Sequence, residues 1–503
     1  VTAQTEKKLC ALISLLLCVE NPTAMYRPLH IFALSVVLAA GTYLGVSAAT
    51  GYVGFALDDA WIHQTYARNL GERGEFAFLP GQPSAGSTSP LWSALIAAGY
   101  ALRLEPRAWT YTLGAACLLA NAWLAHALVL RLWPGRRWAA LGAGVAVALE
   151  WHMIWASVSG METALFAALV LATFVIPVER AVWLGVVAGL ATFTRPDGLT
   201  LLPFLFARVW LEGRPVTRRS ALLQCGLTFA AVFGSYLGFN FWLEGTLWPN
   251  TFYAKQAEYA IYRELPLWQR VWQVGQQPLI GAQMLLLPGI AAVVLGVARG
   301  GAWSRLIPLA WVAAFVAAYV LRLPVIYQHG RYLMPAIPVL VAVGVGGIGG
   351  VLRLNSGDLW RRALSRAWLA AFGLLLAVFV ALGADAYRRD VRIIETEMVA
   401  TARWVAANTE PEALIAAHDI GALGYFGQRR LLDLAGLISP DVIPFIRDEA
   451  RLREWITASN ALYLITLEGW YPALEAPMTP IFRTEAPFSP QSGGQNMVVY
   501  RWP

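Results

Sequence analysis

Charge is what this chain has little of. Asp, Glu, Lys and Arg make up 14% of its 503 residues, against about 25% in a soluble domain. The 58% hydrophobic composition and mean hydropathy of +0.53 place the excess apolar surface in lipid. A wholly soluble enzyme is excluded, and an integral membrane protein is expected. Cysteine is scarce as well. Cys10, Cys18, Cys117 and Cys225 lie in apolar stretches without ligand spacing. No disulfide framework is readable, and small core residues are their expected role. Internal repeats and low-complexity tracts are absent. The net charge of +7 does not mark a nucleic-acid binder, because the basic residues sit in short clusters between apolar runs: 136–137, 214–219, 299–305 and 353–366. Such clusters mark cytoplasmic loops.

Counting apolar runs of ~20 residues predicts about eleven membrane helices. They fall near 29–50, 107–132, 138–155, 163–178, 182–195, 198–212, 221–242, 276–298, 306–322, 333–352 and 368–385. The predicted fold class is an α-helical polytopic membrane protein with a small C-terminal extracytoplasmic α/β domain. The expected regions are an N-terminal arm (1–28), a membrane domain (29–385) and the outer domain (386–503). The basic clusters then share the cytoplasmic side of the inner membrane. The N-terminus is expected there too, and the odd number of spans puts the C-terminus outside. Met25-Tyr26-Arg27-Pro28 reads as a natural start. Residues 1–24 are therefore expected to be either upstream sequence or a cytoplasmic arm. In the outer domain, Asp390–Asn408 reads as a helix. Ala413–His418, Arg430–Leu434, Ala461–Leu467 and Met497–Trp502 read as strands, an α/β alternation.

The outer loops carry the chemistry. Asp58 and Asp59 follow the first span, where two adjacent carboxylates must be offset by neighbours or one must hold its proton. A helix start would favour the same residues. Pro90–Arg103 reads as an interfacial amphipathic helix. Four of the six histidines, His63, His152, His329 and His418, fall on or near the outer face. Glu162, Arg195, Asp197, Lys255, Arg331 and Asp419 join them. Taken singly, Lys255 or Arg195 can snorkel to headgroups, Glu162 can face a helix dipole and Asp197 can serve a turn. Ionisable groups at membrane depth usually mark a site, and six segments converging on one side point to a single polar cavity. Trp61, Trp92, Trp248 and Phe252 are candidates for its apolar walls, or for the aromatic belt at the interface.

The order of these motifs resembles a known family. Asp58-Asp59-Ala60-Trp61-Ile62, Ser159-Gly160-Met161-Glu162-Thr163, Thr194-Arg195-Pro196-Asp197-Gly198 and Asn250-Thr251-Phe252-Tyr253-Ala254-Lys255 are similar to motifs of bacterial terminal arabinofuranosyltransferases. Arg331-Tyr332-Leu333-Met334-Pro335, Asp419-Ile420-Gly421-Ala422-Leu423-Gly424-Tyr425 and Asp433-Leu434-Ala435-Gly436-Leu437 continue the likeness, which runs from about 29 to 440. These enzymes are integral-membrane glycosyltransferases of the C-type fold, fed by polyprenyl-phosphate sugars. The resemblance implies such a donor, a cell-envelope glycan or lipid acceptor, membrane lipids as surroundings and an inverting transfer. Asp58 or Asp59 would be the base, and Arg331 and Lys255 would hold the departing phosphate. A divalent metal ion, magnesium or manganese, is the one cofactor it admits. His63, Glu162, Arg195, Asp197, His329, His418 and Asp419 would complete the site. The rival readings are a lipid-linked glycan transporter or flippase, which would place charges in mid-membrane in two related halves, and an O-antigen-type ligase or polymerase.

Overall fold

A computed structural model describes residues 22–503. Cys10, Cys18 and most of the N-terminal arm lie outside the described residues. Among the described residues, six helices are long and apolar enough to cross a membrane: Arg27–Ala48, Pro106–Leu132, Arg218–Glu244, Trp303–Arg322, Tyr327–Ile348 and Leu359–Asn408. Three further candidates are bent pairs. Arg137–Ala148 meets Trp151–Val158 at 50°, Thr163–Val175 meets Val178–Thr194 at 116°, and Leu267–Leu279 meets Ala282–Ala298 at 93°. The described chain thus offers six to nine spans, not eleven separate ones. Local chemistry explains the bends. Glu150 caps a new helix by accepting the Met153 N–H at 2.9 Å. Pro177 interrupts the second pair. The expected span at 198–212 is an 11-residue helix, Leu202–Glu212, entered through a 3-10 turn at Pro196–Leu201.

Helix Arg218–Glu244 leaves Leu223 and Leu227 exposed, as a lipid-facing helix does. Helix Ile337–Ile348 is buried on every side. Its glycines permit backbone contact: a Cβ on Gly347 would lie 2.1 Å from the Gly289 carbonyl oxygen. Small residues bring membrane helices together in this way.

After the first span comes the Asp59–Arg73 helix, then a hairpin of β1 (Ala77–Leu79) and β2 (Gln82–Pro83), then the Pro90–Ala101 helix. Ser89 caps that last helix with Pro90 in its first turn, both favoured in those places. At the other end of the chain, the final span does not stop at the membrane. One helix of 50 residues runs from Leu359 to Asn408, so the predicted Asp390–Asn408 helix continues the predicted last span. A π turn at Glu395–Val399 interrupts it. There the buried Glu397 accepts the Met497 N–H at 2.8 Å and the Asn496 amide at 3.0 Å. That anchors the helix to a five-stranded sheet of order β4-β3-β5-β7-β6. The strands are β3 (Leu414–Ala417), β4 (Arg430–Asp433), β5 (Tyr463–Leu467), β6 (Pro480–Arg483) and β7 (Met497–Arg501). β3 runs parallel to β4 and β5, while β7 is antiparallel to β5 and β6. Sequence reading misses β6, an edge strand that opens on proline and stays mostly exposed.

Candidate active site

Asp58 and Asp59 stand at the start of the Asp59–Arg73 helix and point apart. Asp58 is 8% exposed. Its two oxygens accept the backbone N–H groups of Gly421 at 2.7 Å and Ala422 at 2.8 Å. Only glycine permits this approach, because a Cβ on Gly421 would sit 2.0 Å from the Asp58 carbonyl oxygen. Burial, and then the nearby Asp419, push the Asp58 carboxyl up to about 7 against the pull of those two bonds. The Asp59 side chain is 34% exposed and forms an ion pair with Arg331. Desolvation would raise its carboxyl, but the Arg331 and Lys255 charges outweigh it and hold it well below the usual carboxylate range.

Arg331 is buried. Its Nη2 donates to Asp59 and, at 3.3 Å, to the Tyr332 hydroxyl. Its Nη1 is buried with no hydrogen-bond partner, a costly state that calls for an acceptor. The Tyr332 ring lies 5.1 Å from the Arg331 guanidinium and 5.4 Å from the Lys255 ammonium. Lys255 makes no ion pair among the described residues. Tyr332 and Lys255 line a cavity of about 660 Å³, together with Arg322, and its apolar wall includes Leu199, Trp248, Phe252 and Leu323. Trp248 and Phe252 therefore line the cavity. Trp61 and Trp92 do not: both are buried, and the Trp92 indole donates to the Gly160 carbonyl at 2.8 Å.

A second knot supports the first. Arg195 reaches Glu162 at 3.4 Å, Asp197 at 3.1 Å and the Tyr319 hydroxyl at 2.9 Å. Glu162 also meets His63 Nε2 at 3.4 Å. Burial alone would raise Glu162, but the His63 hydrogen bond and the Arg195 charge bring it down to about 2. Arg195 and Asp197 line the cavity, while Glu162 pairs with Arg195 and His63 meets Glu162.

The C-terminal domain closes the site. His418 Nδ1 meets the Tyr471 hydroxyl at 2.7 Å, and its Nε2 meets Glu258 at 3.4 Å. Burial would lower His418, but Tyr471, Glu258 and Asp419 raise it well above its ordinary value. Asp419 keeps one oxygen buried and unpartnered, and burial raises it. Asp433 accepts the N–H groups of Ala435 and Ile438, each at 2.8 Å, and of Leu437. The Leu437 carbonyl in turn accepts from Asn250 at 2.9 Å.

The structure thus brings together ten of the eleven predicted site residues: Asp58, Asp59, His63, Glu162, Arg195, Asp197, Lys255, Arg331, His418 and Asp419. His329 is set apart. Its Nε2 pairs with Asp390 at 2.8 Å, and Asp390 also accepts the Trp155 indole at 2.9 Å. Sequence reading missed Tyr332, Tyr319 and Glu258. Glu258 follows Lys255 by three positions on one helix, a spacing that places both on one face. Tyr319 carries no local signal. The divalent ion that the resemblance admits finds no ready donor set. Among the described residues, no three His, Cys, Asp or Glu side chains are grouped to hold an ion. Asp58 commits both oxygens to backbone N–H groups and Asp59 faces Arg331, so no step below runs through a metal.

No curated protein matches the sequence. A family described as a domain of unknown function (DUF8728) matches residues 385–500. Among solved structures, ArnT from Cupriavidus metallidurans bound to undecaprenyl phosphate is 14% identical, with a TM-score of 0.59 over 93% of this chain and 97% of that one. The apo oligosaccharyltransferase of Archaeoglobus fulgidus is 12% identical, with a TM-score of 0.61 over 88% of this chain and 69% of that one. The oligosaccharyltransferase AglB from Archaeoglobus fulgidus, in complex with an inhibitory peptide and a dolichol-phosphate, is 11% identical with a TM-score of 0.54 over 87% of this chain and 69% of that one. At these identities the likeness is one of fold, and the chain has the C-type fold of integral-membrane glycosyltransferases.

Proposed function

We propose that this chain is a glycosyltransferase that moves a sugar from a polyprenyl-phosphate donor to a glycan or lipid acceptor at the outer face of the cytoplasmic membrane, with inversion. One observation carries the reading: the unpartnered Nη1 of buried Arg331 lies beside a partly exposed carboxylate, Asp59. Next to them lies a largely apolar cavity lined in part by the unpaired Lys255. A prenyl chain fits the apolar wall, and a phosphate fits the two cations. Undecaprenyl phosphate in ArnT and dolichol-phosphate in AglB are ligands of that chemistry.

In the proposed reaction the acceptor hydroxyl attacks the anomeric carbon, the carbon–phosphate oxygen bond breaks, and polyprenyl phosphate leaves with the electron pair. Asp59 takes the hydroxyl proton. Free Asp59 is a weak base because two cations hold it. When the donor phosphate takes up Arg331 and Lys255, that hold slackens and the carboxylate becomes more basic, so donor binding arms the base. The departing phosphate gains charge as the bond breaks, and the cations stabilise that gain. Asp419, whose buried oxygen has no partner, is the candidate to orient the acceptor. Asp58 acts on the other side, docking the C-terminal domain.

The test incubates the purified protein, with envelope lipid and glycan acceptors, with a panel of radiolabelled polyprenyl-phosphate sugars and the matching nucleotide sugars. Transfer from one lipid-phosphate sugar is expected. Transfer from a nucleotide sugar alone would overturn the reading.

A further inference from the structure

The far end of the molecule holds a second pair of cations, Arg136 and Arg305, neither of them paired with an acid among the described residues. Helix Tyr327–Ile348 begins near Arg331 and ends in Gly346, Gly347, Gly349 and Gly350. The α-helical part, Ile337–Ile348, rises roughly 18 Å at 1.5 Å per residue, and the 3-10 turn and bend before it carry Arg331 further from the glycines. Against those glycines lies the buried Trp133 ring. The Arg136 guanidinium stands 5.4 Å from its centre and the Arg305 guanidinium 6.0 Å. Arg136 donates to the Gly346 carbonyl. The Arg305 side chain has no hydrogen bond or ion pair among the described residues. The missing side chains make the room: a Cβ on Gly350 would sit 2.4 Å from an Arg136 nitrogen. Burial and the Arg305 charge both push the Arg136 guanidinium down, so the pair is held together against its own repulsion.

The two guanidiniums line a cleft of about 200 Å³. Arg136 also lines an adjoining cavity of about 890 Å³, together with Arg137, Arg353, Trp368 and Phe372. No carboxylate lines either one. Trp138, Trp303 and Trp360 stand exposed around this end, where tryptophans mark the membrane–water interface.

We propose that this cleft binds the headgroup phosphate of an anionic glycerophospholipid, with an acyl chain along Trp368 and Phe372. Two converging cations without a counter-charge require an anion, and Arg presents a fork suited to phosphate oxygens. The adjoining apolar wall and the interfacial tryptophans select a lipid over a soluble phosphate. The site is separate from the proposed donor cavity, which lies at the other end of the same helix.

The experiment uses the full-length protein in neutral detergent. Native mass spectrometry counts bound phosphatidylglycerol, and thermal unfolding is followed with phosphatidylglycerol, phosphatidylcholine or inorganic phosphate added. One phosphatidylglycerol per chain should be retained and should raise Tm, while phosphatidylcholine should not. The Arg305 side chain makes no hydrogen bond or ion pair among the described residues, and Gln leaves the backbone bond to Ala302 in place, so Arg305→Gln should fold normally and weaken retention at least ~10-fold. Gly350→Val should do the same by filling the cleft. Arg366→Gln removes an exposed charge near the same end and should change retention less than ~2-fold. Equal losses from Arg305→Gln and Arg366→Gln would reduce the effect to bulk attraction between basic residues and anionic lipid, and overturn the site. Protection by millimolar inorganic phosphate equal to that by the lipid would overturn the lipid assignment.

Discussion

Asp58 and Asp59 differ by one position in the chain and meet opposite partners. Asp58 is turned inward onto two backbone N–H groups of the C-terminal domain, and Asp59 outward onto Arg331. Their non-equivalence is legible in the sequence, because consecutive helical residues diverge. Which one meets Arg331 is not, because that depends on a loop more than 360 positions away in the chain that takes up the other. Arg331 gives a sharper residue-scale prediction. A bidentate grip on phosphate needs the planar fork, whereas bulk attraction to anionic lipid needs only charge. Arg331→Lys should therefore slow donor-dependent turnover at least ~10-fold, about 1.4 kcal/mol in the barrier. A lysine variant as fast as the parent, beside a slowed Arg331→Ala, would leave only the bulk-charge role. Tyr332 was hidden in plain view beside Arg331, because tyrosine at a membrane interface has an ordinary belt role.

The element that aims Arg331 is a strained turn. Gln328, His329 and Gly330 have φ of 53°, 60° and 65°, a left-handed run in which two of the three residues carry side chains. Such strain persists where neighbours over-determine it. Here the His329–Asp390 pair ties the turn to the long Leu359–Asn408 helix. Gly330 is also crowded, since a Cβ would lie 2.9 Å from Gln277. Gly330→Ala should cost about 1–2 kcal/mol from the left-handed backbone alone, seen as a lower Tm, and should slow turnover by displacing Arg331. Unchanged Tm and turnover would show that the turn is not what places the arginine. No periodicity signals such a turn in advance; only the glycine before Arg331 hints at it. Longer elements were more legible. Four strands of the C-terminal sheet show as short apolar runs, while bent pairs such as Arg137–Ala148 and Trp151–Val158 read as single spans. Hydropathy records apolar length and is blind to an angle set by one cap at Glu150.

For the whole molecule, the question is how the C-terminal domain stays docked. Asp58 is held up to about 7 by burial and Asp419, and Asp433 up to about 6 chiefly by burial. His418 is raised too, despite its burial, by Tyr471 and Glu258. An unfolded Asp releases its proton near pH ~4, while these folded groups keep theirs longer. Their stabilisation is complete below the unfolded values and is lost as pH rises through the folded ones. Asp59 and Glu162 are depressed and act in the opposite sense, losing their contribution as acid is added. Thermal stability should therefore decline from about pH 5 towards pH 8, and Asp58→Asn, neutral at every pH, should flatten that decline. A variant with the parent's slope would remove Asp58 from the docking contact. Sidedness has its own test, since the basic Arg136 and Arg305 lie at the opposite end from Asp59. An alkaline phosphatase fusion after Pro503 should be active, and one after Val216 inactive. The reverse pattern would place the site in the cytoplasm.

The central claim is that Asp59 takes the acceptor proton while Arg331 and Lys255 hold the donor. Its most direct test measures donor binding and single-turnover transfer together in purified parent, Asp59→Asn and Asp58→Asn proteins. Asp59→Asn should bind the polyprenyl-phosphate sugar at least as tightly as the parent, because the cations are freed, yet transfer should fall ~10²–10⁴-fold, the span of a lost general base. Asp58→Asn should keep transfer within ~10-fold of the parent at neutral pH. Near-normal transfer by Asp59→Asn, or its loss only in Asp58→Asn, would contradict the account.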